Sequence, residues 1–172
     1  MFYLGTHMVH WLRLPEFTAI PLCVSRNRLV RYKTLPRAVG RWVMDSSGFT
    51  MLQRHGRWTM SPPQYVGEVR RIVDGVGRMP DWVAPQANKC ESQVIYGRRD
   101  VSPKSRHWFH GTRALRGLAP GEAEQDLATA VRIHQALTVD NYLQLQELAP
   151  DIPWMPVLQG SSLSSYLKCA DL

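Results

Sequence analysis

Cysteine is scarce in this sequence. Cys23, Cys90 and Cys169 stand far apart and form no Cys-x-x-Cys pair. That spacing argues against a disulfide framework or a sequence-local zinc cluster, and a reducing cytoplasm is the expected compartment. No run of about 18 apolar residues occurs, so no membrane-spanning helix and no membrane partner are expected. Met1 to Leu14 carries His7, His10 and Arg13. It lacks the charged start, long apolar stretch and small-residue cleavage site of a signal peptide. P-loop, Gly-x-Gly-x-x-Gly, Gly-x-Ser-x-Gly and His-Glu-x-x-His motifs are missing, which leaves nucleotide hydrolysis, hydride transfer and serine hydrolysis without support. At 172 residues the chain is also shorter than a complete eight-stranded α/β barrel, which needs about 200 or more.

What is present is globular in character, with 44% hydrophobic and 20% charged residues. The formal charge is +7 and its distribution is uneven. Arg26, Arg28, Arg31, Lys33, Arg37 and Arg41 follow one another with no intervening acid. Arg98, Arg99, Lys104, Arg106, Arg113 and Arg116 are opposed only by Asp100, and the sign reverses from Glu122 to Asp151. A positive surface of this kind attracts phosphate backbones and makes binding salt-dependent. Arg outnumbers Lys 17 to 4, so compositional bias is the competing explanation.

Short continuous apolar runs at Phe2–Leu4, Pro21–Val24, Trp42–Met44, Trp82–Ala84 and Trp154–Leu158 read as buried strands. Ser61-Pro62-Pro63-Gln64 reads as a helix start with a capping-box glutamine. The helix it opens buries Tyr65, Val66, Val69, Ile72 and Val73, and ends at Gly75 and Gly77. A second helix is expected from about Glu124 to Leu148, with Leu127, Val131, His134, Thr138, Tyr142 and Leu145 on one face and Pro150 as its stop. Ser162 is expected to cap a last helix. Ser92 to Gly121 reads as an irregular basic loop insertion. Strands that are continuous rather than alternating suit parallel pairing with both faces covered. The expected fold is α/β, a single domain forming a partial TIM-type (β/α) barrel of parallel strands and covering helices.

Three strands end in polar groups: Asp45-Ser46-Ser47-Gly48, Gln86 after Pro85, and Gln159-Gly160. Sites of α/β folds gather at the carboxyl ends of strands. Asp45 there suits a general base, a nucleophile or an acceptor for a ring N–H, although Asp-Ser-Ser-Gly is also common turn chemistry. Gln159 both donates and accepts, which suits a purine edge or equally a satisfied turn. The side chains of Asp45, Gln86 and Gln159 are expected to converge on one ligand. His7/His10 and His107/His110 lack further ligands at metal spacing, so no metal is assigned. His134 reads as a core histidine or as one that supports a site residue from behind. Trp108-Phe109 suits either base stacking or anchoring of the loop.

One family shares many of these segments. They are Phe2-Tyr3-Leu4-Gly5-Thr6-His7, Asp45-Ser46-Ser47-Gly48-Phe49-Thr50, His55-Gly56-Arg57-Trp58, Ser61-Pro62, Tyr65-Val66, Ala84-Pro85-Gln86, Cys90-Glu91, His134-Gln135, Thr138-Val139, Asn141-Tyr142-Leu143 and Val157-Leu158-Gln159-Gly160. Together they resemble the N-terminal part of the deazapurine DNA modification proteins (DpdA-like), relatives of queuine tRNA-ribosyltransferase, also called tRNA-guanine transglycosylase. The resemblance implies a TIM-type barrel that exchanges a purine base. A carboxylate attacks the sugar C1′, guanine leaves, and a 7-deazapurine replaces it. By that resemblance Asp45 contacts the base and assists proton transfer, with Ser46, Gln86, Gln159 and Gly160 as substrate contacts. Arg98, Arg99, Lys104, Arg106 and Arg113 are the expected nucleic-acid contacts, and DNA is the expected partner.

The departures from the family pattern matter too. Ser47 replaces the first glycine of Asp-Ser-Gly-Gly-Phe. Ala87 stands where the family has a base-binding aspartate, which is expected to weaken base recognition. The family nucleophile lies on a later strand, and the zinc-binding Cys/His cluster of the tRNA enzymes lies later still. No cofactor is therefore expected within this chain. Activity is expected to require a C-terminal half or a second chain that completes the barrel. The alternatives are a non-catalytic nucleic-acid-binding remnant or accessory module of the same fold, and a tRNA-directed transglycosylase fragment.

Overall fold

The computed structural model describes residues 1–98, 100–112 and 122–172. The chain divides into two compact units. One comprises Met1–Ser47, Met60–Pro85 and Leu143–Met155, and the other Gly48–Thr59, Gln86–Tyr142 and Pro156–Leu172.

The first unit is built on parallel strands β1 (Leu4–Thr6), β2 (Leu22–Ser25) and β3 (Trp42–Asp45), paired in that order. Leu22 pairs with Leu4 on one side and Trp42 on the other, and Ser25 ends level with Asp45. Trp42, Val43 and Met44 are all buried, the signature of a strand covered on both faces. Parallel pairing continues beyond β3 as single bridges from Met44 to Val83 and from Val83 to Trp154. Val83 donates to Pro153 O at 2.9 Å and accepts from Met155 N–H at 3.0 Å. The run expected over Trp154–Leu158 thus pairs only at Trp154, and Leu158 is exposed. At the N-terminus, pairing starts at Leu4 and leaves Phe2 80% exposed, so the first strand begins later than its apolar residues suggested.

Helix α1 (Arg26–Leu29) follows β2 directly. Helix α3 (Pro62–Val76) starts as its sequence predicts, with Gln64 Oε1 accepting the Ser61 N–H at 2.8 Å. Its buried face is Tyr65, Val66, Val69, Ile72 and Val76, and Gly77 ends it with φ of 70°. The Tyr65 and Trp154 rings lie 5.9 Å apart in this core.

The second unit contains α2 (Gly48–His55), α4 (Ser92–Tyr96), most of α5 (Glu122–Leu148) and α6 (Leu163–Ala170). One apolar cluster joins Cys90, Ile95, Ala130 and Val131 with Leu127, and another joins Leu52, Val94 and Phe109 with Trp58. The stretch read as irregular from Ser92 onward opens with α4 and then closes an antiparallel bridge from Arg98 to Phe109. Ser162 caps α6 by accepting the Ser165 N–H, as its position predicts. Among the described residues no helix is long and apolar enough to cross a membrane.

Candidate functional site

At the carboxyl ends of β2 and β3 the sequence assembles a compact polar group. Asp45 is the last residue of β3, and its Oδ2 accepts the Ser47 N–H at 2.9 Å. Ser47 is held at φ of 64°, a left-handed conformation that glycine adopts freely and other residues rarely do. This explains why glycine suits the position in Asp-Ser-Gly-Gly-Phe. Here the serine hydroxyl accepts the Asn27 N–H at 3.0 Å and bonds the Ser25 hydroxyl. Ser47 thereby ties the ends of β2 and β3 together while its amide orients the carboxylate. Ser46 is buried beside them in the chain.

Replacing Ser47 with valine is expected to cost about 1–3 kcal/mol, because a β-branched side chain fits the left-handed region worst and both hydroxyl bonds are lost. Ser47→Gly is expected to stay within about 1 kcal/mol, since relief of backbone strain offsets the lost bonds. Urea unfolding of the two variants checks this, and equal stabilities would contradict it.

Elsewhere in the fold, several residues take partners or surroundings that the sequence reading did not assign them. Arg26 is buried at the start of α1 and forms an ion pair with Glu68 of α3. Arg41 pairs with Asp81 at 2.9 Å, which also accepts from the Tyr3 hydroxyl. The acid-free stretch from Arg26 to Arg41 is therefore not a uniform positive surface, because distant acids neutralise part of it. Tyr65 is fully buried, its hydroxyl donates to Ala84 O at 2.8 Å, and burial raises its pKa. Burial raises the Cys23 pKa as well, and the Asp45 charge adds to the effect. Burial pushes the Cys90 thiol up to about 12, so it has little thiolate character at neutral pH.

The other expected base contacts belong to the second unit, and one helix holds them. Asn141 of α5 exchanges two hydrogen bonds with Gln86, accepting its N–H at 3.0 Å and donating to Oε1 at 3.1 Å. One turn back, Thr138 Oγ1 accepts the Asn88 N–H at 2.9 Å. His134 Nδ1 lies 2.6 Å from Lys89 O, and Cys90 Sγ lies 3.8 Å from Val131 O. Residues 86–90 are thus strapped along α5 turn by turn. Gln135 donates from Nε2 to both Gln159 O at 2.8 Å and Ser165 O at 2.7 Å. Asn141 and Gln135 are about 9 Å apart along the helix axis, so α5 carries both the Gln86 and Gln159 segments. Gly160 is buried against α6, where an added Cβ would lie 2.7 Å from Ser165 Oγ. Ala87 is buried, and its carbonyl accepts the Trp58 indole N–H at 3.1 Å. Gln135 and Asn141 stood in the family segments without a role of their own, because an apolar periodicity does not register a helix face made of amides and hydroxyls.

Of the expected nucleic-acid contacts, Arg98, Lys104 and Arg106 are exposed, and Arg98 lies 3.4 Å from Asp100. Arg99 and Arg113 lie outside the described residues. Phe109 is buried and meets Phe49 edge-on at 5.5 Å, so it anchors this segment, whereas Trp108 stands edge-on to His110. Among the described residues no three His, Cys, Asp or Glu side chains gather as a metal ion would require.

Fold and site together define an α/β protein with a backbone-oriented carboxylate at the end of a parallel strand. A family model described as "DpdA: DeoxyPurine in DNA protein A" matches residues 1–106, and the chain belongs to that family. The match spans Asp45, Ser46 and Gln86. No curated protein and no solved structure matches the chain.

Proposed function

We propose that this chain is the N-terminal portion of a TIM-type, transglycosylase-like enzyme that replaces guanine in DNA with a 7-deazapurine. The parallel pairings support the barrel. They run β1, β2, β3, Val83, Trp154 in chain order, without the reversal that marks a doubly wound sheet. Family membership supports DNA as the substrate. The observation that carries the reading is Asp45, fixed at the carboxyl end of β3 by the Ser47 amide.

In this reading Asp45 accepts a ring N–H of the base and assists proton transfer there. Ser46 is the neighbouring base contact, and a separate carboxylate attacks C1′ as guanine leaves. Equilibrium dialysis with a labelled 7-deazapurine tests it. Wild-type protein is expected to retain the base, and Asp45→Asn to weaken retention about tenfold to a hundredfold, the worth of a charge-assisted hydrogen bond. Equal retention by both proteins would remove Asp45 from the site.

A second reading, a non-catalytic DNA-binding module of the same fold, is favoured by Ala87. Its buried methyl group cannot accept a ring N–H. DNA binding without any retention of the base would select that reading.

A further inference from the structure

A cleft of about 260 Å³ in the second unit is lined by Arg54, His55, Gly56, Arg57, Thr59, His110 and Gly111. We propose that it is a phosphate-binding site that takes a backbone phosphate of DNA; its DNA arm rests on the DNA reading above.

The cleft is built from two segments far apart in sequence. Arg54 and His55 form the last turn of α2, and Gly56 follows in a left-handed conformation with φ of 64°. The His110 N–H donates to Gln53 O at 2.8 Å, which brings the second segment against the helix end. The two backbones touch, since a Cβ on Gly56 would lie 2.1 Å from Gly111 O. Main chain from both segments therefore meets at the cleft, which Arg54 and Arg57 also line.

Charge identifies the ligand. No acid lines the cleft, and among the described residues the ion pairs engage Arg26, Arg41, Arg70 and Arg98 but neither Arg54 nor Arg57. A comparable cleft in the first unit, of about 220 Å³, contains Asp74 and Asp151 beside Arg70 and is internally neutralised. Two guanidiniums facing one space match the forked geometry of phosphate recognition. The volume falls below the 300–1,000 Å³ or so that encloses a whole small molecule, so the cleft suits one anionic group of a larger ligand. Exposed Arg98, Lys104 and Arg106 lie on the chain segment that leads into His110 and Gly111. Gln53 Nε2 donates to Arg106 O at 2.8 Å, which sets the exposed Arg106 beside the same helix, α2, and a further cation there fits a polyanion better than a free phosphate ion.

The test uses the full chain and a labelled duplex in fluorescence anisotropy over a range of salt. Arg54→Gln/Arg57→Gln is expected to weaken binding about tenfold. It is also expected to reduce the slope of log affinity against log salt by about 1. Arg132→Gln/Lys168→Gln removes two exposed charges elsewhere and is expected to leave affinity within about twofold. Equal weakening by the two variants, or none from the first, would overturn the proposal. A parallel NMR titration with inorganic phosphate follows the Gly56 and Gly111 amides. If wild-type protein bound no duplex even at low salt, the DNA reading would fail. Saturable shifts at those two amides would then support a site for free phosphate, and their absence would overturn the site as well.

Discussion

Gly56→Ala is expected to destabilise the unit that contains it by about 2–5 kcal/mol. A left-handed backbone at a non-glycine residue contributes about 1–2 kcal/mol of this. Overpacking contributes about 1–3 kcal/mol more, because the new methyl would sit 2.1 Å from Gly111 O. Gly111 cannot retreat easily. It is left-handed itself, and its far side lies against Tyr96 O and the Gly97 backbone. Urea unfolding monitored by tryptophan fluorescence gives the measurement, and a change below about 0.5 kcal/mol would mean that the two backbones do not approach as described. The same substitution is expected to open the arginine cleft, so DNA affinity should fall with stability.

His134→Phe is expected to cost about 2–5 kcal/mol, because it leaves two buried partners unsatisfied. The His134 ring lies between Lys89 O and Thr112 Oγ1 at 2.6 and 3.1 Å. Those partners select the neutral tautomer with the proton on Nδ1, donating to Lys89 O while Nε2 accepts from Thr112. Burial lowers the His134 pKa, against smaller raising effects from the Lys89 carbonyl bond and the Glu91 charge. The unfolded chain therefore binds a proton at this residue more readily than the folded one. The stability His134 contributes is fully present above its ordinary value of 6.5 and is lost as pH falls below it toward the lowered folded value. Urea midpoints between about pH 5 and about pH 8 should show wild-type stability declining on the acid side. The difference between wild type and variant should shrink in the same direction. A difference that stays constant with pH would contradict burial of a neutral imidazole.

The sequence alone determined the features that depend on neighbours within a few residues. Continuous apolar runs marked β2 and β3 as strands, though only β3 is buried on both faces, and Ser61 and Gln64 marked the start of α3 within one helical turn. Pro150 and Gly77 marked helix ends, and Ser162 the cap of α6. Asp45 was legible as a candidate because it directly follows a buried run. Helix α4 was not legible, since five residues hardly exceed one period of the pattern that would reveal them.

Tertiary structure decided whatever needed a partner outside such a window. Arg26 looked like surface charge until Glu68, 42 residues away, neutralised it in the interior. Ser47 looked like a turn residue until Ser25 at the end of β2 and Asn27 in α1 gave its hydroxyl a function. The buried polar stripe of α5 carries no apolar signal, because its partners are the main-chain and side-chain groups of residues 86–90 and the Gln159 and Ser165 carbonyls. The arginine cleft exists only where residues 54–57 meet residues 110–111. Helix periodicity and capping are short-range effects written into adjacent residues. Burial of charge, left-handed strain and a shared cleft depend on which distant segments the packed core brings together.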